Sequence, residues 1–275
     1  MAFLIVDESK CKKDSICVAE CTSGLIKLQE ETGYPGIIPG GDNMCNRCGH
    51  CVAVCPNGAL ILSEIPAEDC PPIKPELIIN EEQAVQFLRS RRSIRAYKDK
   101  PVGKEKIRRL IEIARYAPTG GNNQLVEWLV VTDKRKIHES ASQTIEFFRR
   151  FIKENPGVLE LNPYLSLFIE AWDAGYDLIL WNAPVLVVAS APKESPTGMA
   201  DLCIALSYLS LLAPTMGLGT CWAGLLQQAI ISSPPLREFL GVPAEHPHLF
   251  PMILGYPKAR YHRLPGRKPP KITFG

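Results

Sequence analysis

Hydrophobic positions change their spacing once along this chain, near residue 70. Over residues 1–66 the apolar residues come in short strand-like runs broken by turns, with little helical period. Asp69-Cys70-Pro71-Pro72-Ile73-Lys74-Pro75 then forms a connector whose prolines stiffen the chain and exclude helix. Beyond it the period turns helical. Asn80 stands before Glu81, Glu82 and Gln83, a capping side chain followed by acids at the positive end of a helix dipole, and Val85 and Leu88 supply apolar spacing. Lys104 to Ala117 predicts a second helix with Ile107, Leu110, Ile111 and Ala114 on one face. Residues 128–132 and 185–189 are apolar runs of strand type. Ala200 to Ala213 predicts a helix apolar nearly all round, which implies burial on all sides. No charge falls between Leu202 and Leu226, a length that could span a bilayer. Pro214, Gly217, Gly219 and Gly224 interrupt it and no Lys or Arg flanks it closely, so it reads as a buried helix, a glycine turn and a strand. The pattern predicts an α+β protein with a small domain at 1–66, a linker at 67–80 and a larger domain at 81–275.

Composition narrows the function. The 275 residues are 46% hydrophobic, enough for a sizeable core. A net charge of +2 lacks the basic surplus on which nucleic-acid affinity rests. Met1 to Lys10 does not read as a signal peptide, because its apolar run stops at Val6 and acidic residues follow. The expected compartment is the reducing cytoplasm, where clustered cysteines mean metal rather than disulfides. Eight of the ten cysteines lie at or before Cys70.

Cys45, Cys48, Cys51 and Cys55, followed by Pro56, have the Cys-x2-Cys-x2-Cys-x3-Cys-Pro spacing of bacterial iron–sulfur proteins. A zinc ribbon uses two separated pairs instead of four thiols in eleven residues. Cys11, Cys17 and Cys21 repeat the frame, with Asp14 at the second cysteine position and Thr22 where proline is usual. The first 60 or so residues thus resemble the two-cluster ferredoxins. Their crossed ligation implies one cluster on Cys45, Cys48, Cys51 and Cys21. The other would use Cys11, Cys17 and Cys55, with Asp14 at the fourth iron. A carboxylate is a harder donor than a thiolate, so that cluster is expected either to hold a labile fourth iron or to carry three irons. The competing reading makes Asp14 a surface residue beside an incomplete site.

In the larger domain Arg91, Arg92, Ser93 and Arg95 lie within five residues, followed by Tyr97 and Pro101-Val102. Guanidinium forks suit phosphate oxygens, although a solvated basic turn is the plain alternative. The motif resembles the opening of the FMN-dependent nitroreductase family, where it grips the flavin phosphate and ribityl chain. Three further segments match in order. Pro118 to Gln124 resembles a family loop that reaches FMN, often from the partner subunit; Thr119 and Gly120 replace its serines, and Asn122 and Gln124 carry over best. Gly217 to Trp222, with Cys221 and Gly224, resembles the segment along the isoalloxazine ring. The glycine pair there could equally be a helix C-cap. Gly255-Tyr256-Pro257 followed by Arg263, Arg267 and Lys268 resembles the basic tail that closes on the phosphate. The resemblance implies a three-layer α/β/α fold, a homodimer and FMN chemistry.

Gly217-x-Gly219 is followed by Trp222 where a dinucleotide fingerprint needs glycine, so no such site is encoded. The five histidines have no ligand spacing, and His50 reads as a surface residue that tunes a cluster. Cys203 reads as buried and non-ligating, as does the thiol of Cys221, and Cys70 has no role. The aromatic-rich segment 140–172 is core, dimer interface or part of a pocket wall. The expected activity is electron transfer from ferredoxin or NAD(P)H, through two clusters and FMN, to a small electrophile such as a nitroaromatic or quinone. A specialised flavin enzyme, such as a dehalogenase or a flavin-fragmenting enzyme, and a non-enzymatic redox module are the alternatives. No nucleic-acid or membrane partner is expected.

Overall fold

The structure, a computed structural model, describes residues 3–275; the first two residues of the Met1–Lys10 opening lie outside the described residues. The chain divides into two compact units between Ile78 and Ile79.

The first unit is built on two short antiparallel pairs. Strand β1 (Leu4–Val6) pairs with β4 (Leu60–Leu62), and β2 (Ile26–Leu28) pairs with β3 (Pro35–Ile37). Single helical turns α1 (Ile16–Ala19), α2 (Gly41–Met44) and α3 (His50–Ala53) lie between them. Its buried core is small: Leu4, Cys17, Ile26, Cys51, Leu60 and Leu62. The backbone repeats with a 34-residue offset that superposes the cysteine runs. Lys13 and Arg47 share φ near 55°, and Ser15 and Gly49 share the left-handed region. The connector holds two short 3-10 turns, Ala67–Asp69 and Pro75–Leu77, so proline shortens helix there without abolishing it.

The second unit carries an antiparallel sheet. Its strands are β5 (Glu127–Val131), β6 (Val185–Ala191), β7 (Gly219–Trp222) and β8 (His248–Gly255), in the order β5-β6-β8-β7. Its helices are α4 (Glu81–Ser90), α5 (Lys104–Ala114), α6 (Lys134–Glu154), α7 (Val158–Leu161), α8 (Tyr164–Asp173), α9 (Gly198–Leu212), α10 (Gly224–Ser232) and α11 (Pro234–Leu240). Alternate residues of β6 enter different cores. Val185, Val187, Ala189 and Ala191 pack with α5 and α9, whereas Leu186 and Val188 pack with α6, α10 and α11. Both faces of the sheet are covered, which is why β6 reads as a continuous apolar run without polar alternation. This is the expected three-layer α/β/α arrangement.

Asn80 and Gln83 close a capping box at the start of α4, with bonds of 2.9 and 3.0 Å. Helix α5 ends at Ala114 rather than Ala117, because Pro118 disfavours helical backbone just before it. The predicted helix at 200–213 is α9, and Gly217 (φ 74°) caps the 3-10 turn that follows it. The stretch Gly198–Met216 is long and apolar enough to cross a membrane by length and composition alone. One expectation is corrected. Helix α9 is buried on one side only: Leu202, Leu206 and Leu209 face the sheet, while Ile204 and Tyr208 are exposed. The sheet supplies a single surface, and among the described residues of the second unit the Ile204 and Tyr208 face stays exposed. Cys203, expected to be buried, is only half-buried.

Candidate functional site

The first unit sorts its ligand candidates into the two predicted sets. Cys21, Cys45, Cys48 and Cys51 line one hollow, walled by Phe3, Leu4, Leu25, Ile26, Ile37 and Leu62. Cys11, Asp14, Cys17 and Cys55 line a second, with Lys12 and Lys13 at its rim. The crossing arises because α1 and α3 each carry the third ligand position of a run (Cys17 and Cys51) and end before the fourth (Cys21 and Cys55), which therefore faces the other hollow. None of the ten cysteines forms a disulfide. Among the described residues no three His, Cys, Asp or Glu side chains converge on a single metal ion. Ligands standing around a hollow instead of a point suit an inorganic cluster, whose own body separates the irons, and thiolate is the donor such clusters take.

Backbone groups are already turned toward the sulfurs. The N–H of Leu25 donates to Cys21 Sγ and that of Ala59 to Cys55 Sγ, both at 3.3 Å, and that of Arg47 to Cys45 Sγ at 3.4 Å. Such bonds stabilise sulfur carrying negative charge and are one lever on cluster potential. Burial pushes the Cys51 thiol up to about 11 and raises Cys17 as well, so without metal these two stay protonated at neutral pH. Ligation must displace those protons. Asp14 is exposed, and its Oδ1 accepts the Ile16 N–H at 3.2 Å at the start of α1. That bond engages one carboxylate oxygen of two.

In the second unit the arginine motif is tied to the sheet. Ser93 bridges Thr220 on β7, and the Ile94 N–H donates to Thr220 O at 2.9 Å. Gly219 permits this approach, since a Cβ there would overlap the Ile94 side chain. One cavity of about 320 Å³ results. It is lined by Arg95, Cys221, Trp222 and Gly224 together with Phe168, Leu178, Ile179, Trp181, Ala223, Leu225 and Ile253. Arg95 is the one charged residue in that lining. Helix α10 starts at Gly224 without a side-chain cap, and a Cβ on Gly224 would meet open space. The first N–H groups of this helix have no intrahelical acceptor, and a ligand in the cavity can reach them. Arg91, Arg92 and Ser93 are half-buried beside this strand, and the Arg92 guanidinium sits 5.2 Å from the centre of the Tyr261 ring. Tyr261 opens the exposed tail on which Arg263, Arg267 and Lys268 lie.

The structure does not bring every candidate to that cavity. Thr119 and Gln124 line another, with Arg115, Val126, Trp128 and Ala205 of α9. Their loop is internally fixed. The Gln124 N–H donates to Thr119 Oγ1 at 3.1 Å, and the Gly120 N–H donates to Oδ1 of buried Asp201 at 3.1 Å. A side chain at Gly120 would overlap the Thr197 hydroxyl, which accounts for glycine where the family has serine. Asn122 and Gln124 both have positive φ. Trp181, Leu178, Ile179 and Ile253 carry no local signal that marks them as cavity residues. Only the fold around β6 and β8 collects them.

The family of this architecture is identifiable by comparison. The nitroreductase family model matches residues 88–256, and a 4Fe-4S dicluster domain model matches residues 10–59. The chain belongs to the nitroreductase family and carries a 4Fe-4S dicluster domain at its N-terminal end. It is 29% identical over 182 residues to a protein of Archaeoglobus fulgidus named "Putative NADH dehydrogenase/NAD(P)H nitroreductase", covering 64% of this chain and 87% of that one. It is also 29% identical over 190 residues to an FMN reductase (NAD(P)H) of Bacillus subtilis, covering 66% and 69%. A crystal structure of a nitroreductase with bound FMN from Bacteroides fragilis shares the fold, with TM-score 0.59 and 24% identity over 71% of this chain and 99% of that one.

Proposed function

We propose that this protein is a cytoplasmic FMN-dependent oxidoreductase in which two iron–sulfur clusters pass electrons to a flavin that reduces a small planar electrophile, a nitroaromatic or a quinone. The observation that carries the reading is the apolar, aromatic-walled cavity with a single guanidinium, entered by an uncapped helix start. The two relatives from Archaeoglobus fulgidus and Bacillus subtilis are named for NAD(P)H, and the dicluster domain suits ferredoxin; either donor fits the chemistry.

FMN, when bound, supplies the redox chemistry. This chain's residues do the holding. Arg91, Arg92, Ser93 and Arg95 bind the phosphate and ribityl chain, and Arg263, Arg267 and Lys268 close over the phosphate from the tail. The α10 N–H groups, beginning at Gly224, would be available to the polar edge of a bound flavin ring, beside Cys221 and Trp222. Phe168, Trp181 and Trp222 exclude water from the substrate side. No side chain is assigned as acid or base. Thr119, Gly120, Asn122 and Gln124 serve the flavin of a second copy, and the exposed Ile204 and Tyr208 face of α9 is the surface that copy covers. Anaerobically purified protein should show flavin bands on a broad brown absorbance, one FMN per chain, and a mass near twice 30.5 kDa. Colourless protein, or flavin without iron, overturns the reading.

In the first unit Cys21, Cys45, Cys48 and Cys51 hold one cluster, and Cys11, Cys17, Cys55 and Asp14 hold the other. Asp14 stands where the 34-residue repeat places Cys48, which supports ligation over a purely local helix-start role. The harder carboxylate leaves that iron exchangeable. Asp14→Cys should therefore raise iron content after mild oxidation toward eight per chain and abolish the signal of a three-iron cluster. Unchanged iron content and spectrum would mean that Asp14 only fixes the start of α1.

A further inference from the structure

Two consecutive residues without a glycine, Trp181 (φ 58°) and Asn182 (φ 48°), adopt left-handed backbone just before β6. Bulky side chains avoid that region, and such strain persists only where the surroundings impose it. The surroundings here are one buried carboxylate. Asp177 Oδ1 accepts the N–H groups of Ile179 and Leu180 at 2.9 and 2.8 Å, and its Oδ2 accepts that of Asn182 at 2.9 Å. Asp177 is only 7% exposed. A further bond from the Ala183 N–H to Leu180 O, at 3.0 Å, closes the loop. The outcome is specific. Leu178, Ile179 and Trp181 turn into the cavity that Arg95 and Trp222 line, and the Trp181 ring centre lies 6.0 Å from the Arg95 guanidinium carbon.

We infer that Asp177 is a positioning residue that spends its hydrogen bonds on forcing the 177–182 loop into a strained turn, so that the Trp181 indole is held beside Arg95 as a fixed wall for the planar ring bound in this cavity. The inference rests on the flavin reading above and deepens it. A carboxylate suits the task because it alone accepts from several converging N–H groups without offering a donor of its own. An indole suits it because it presents a wide, flat, stiff surface at little entropic cost. The loop, which in the sequence looks like an ordinary strand lead-in, becomes a specificity element whose flat indole wall favours flat aromatic ligands.

A double-mutant cycle on the holoprotein tests this, read by FMN dissociation constant and flavin fluorescence lifetime. Asp177→Asn loses an acceptor to Asn182 and should weaken FMN about tenfold and lengthen the lifetime, because the quenching indole is released; in a Trp181→Ala background the same change should have almost no effect, the non-additivity expected of residues acting as one unit. Equal effects of Asp177→Asn in both backgrounds overturn the inference, since they would mark a general structural role. Should Asp177→Asn not fold, it is combined with Asn182→Gly, which adopts this φ freely and so needs less of the carboxylate's hold. The pair should fold, with lifetime and affinity shifted in the direction of Trp181→Ala by less than about tenfold, and no shift in either variant would sink the proposal. Absence of FMN binding by the unsubstituted chain removes the flavin reading and this inference together, whereas tight FMN binding indifferent to Trp181 removes this inference alone.

Discussion

Stripping the iron from this protein will unfold its first 78 residues and leave the remainder folded. The first unit buries six side chains as its core, and two of them, Cys17 and Cys51, are cluster ligands in the proposed assignment. A core in a domain this small rarely supplies more than about 3–5 kcal/mol of stability. Its strands are three residues long and its helices single turns, too short to persist alone. Metal binding in such a domain is therefore folding free energy. The second unit has its own two cores and needs no iron. Chelation under reducing conditions followed by limited proteolysis should digest residues up to about Ile78 and spare a fragment beginning near Ile79. The stripped protein should still be reduced by dithionite but should no longer accept electrons from reduced ferredoxin. Protection of the first unit after iron loss would show that protein packing alone holds it. Normal reduction by ferredoxin after iron loss would end the relay role.

Arg95→Met should release FMN without unfolding the protein. Methionine keeps much of the apolar stem and removes the guanidinium, the sole charge in the cavity lining. Hydrogen bonds to a charged group are worth about 1.5–3 kcal/mol, so the FMN dissociation constant should rise roughly 10- to 100-fold. The apoprotein should melt within a degree or two of the parent, because Arg95 makes no buried ion pair, and surface changes of this kind usually shift stability by about 0.5 kcal/mol or less. Arg95→Lys should restore only part of the affinity, since an ammonium lacks the planar fork. Unchanged FMN affinity in Arg95→Met would remove the arginine-lined pocket from the account.

Much of this molecule is local, and what is local was legible in its sequence. Spacing in the cysteine runs is set by a few residues of chain, so the two runs and the anomaly at Asp14 could be read before any fold was known, whereas the crossed sets were implied by the resemblance to two-cluster ferredoxins. The Asn80–Gln83 cap and the buried face of α5 follow from short-range periodicity for the same reason. Tertiary structure decided the rest. The order β5-β6-β8-β7 places Ile253, Trp181 and Trp222, distant in sequence, around one cavity with Arg95, and sends Thr119 and Gln124 to another. The open face of α9 could not be foreseen either, because an apolar pattern says that a helix wants cover and does not say whether its own chain provides it. Asp177 reads as an ordinary acid until its three N–H partners converge on it. Spacing along the chain determines which atoms are neighbours within a turn; only long-range packing, cooperative over the whole sheet, determines which distant side chains share a wall.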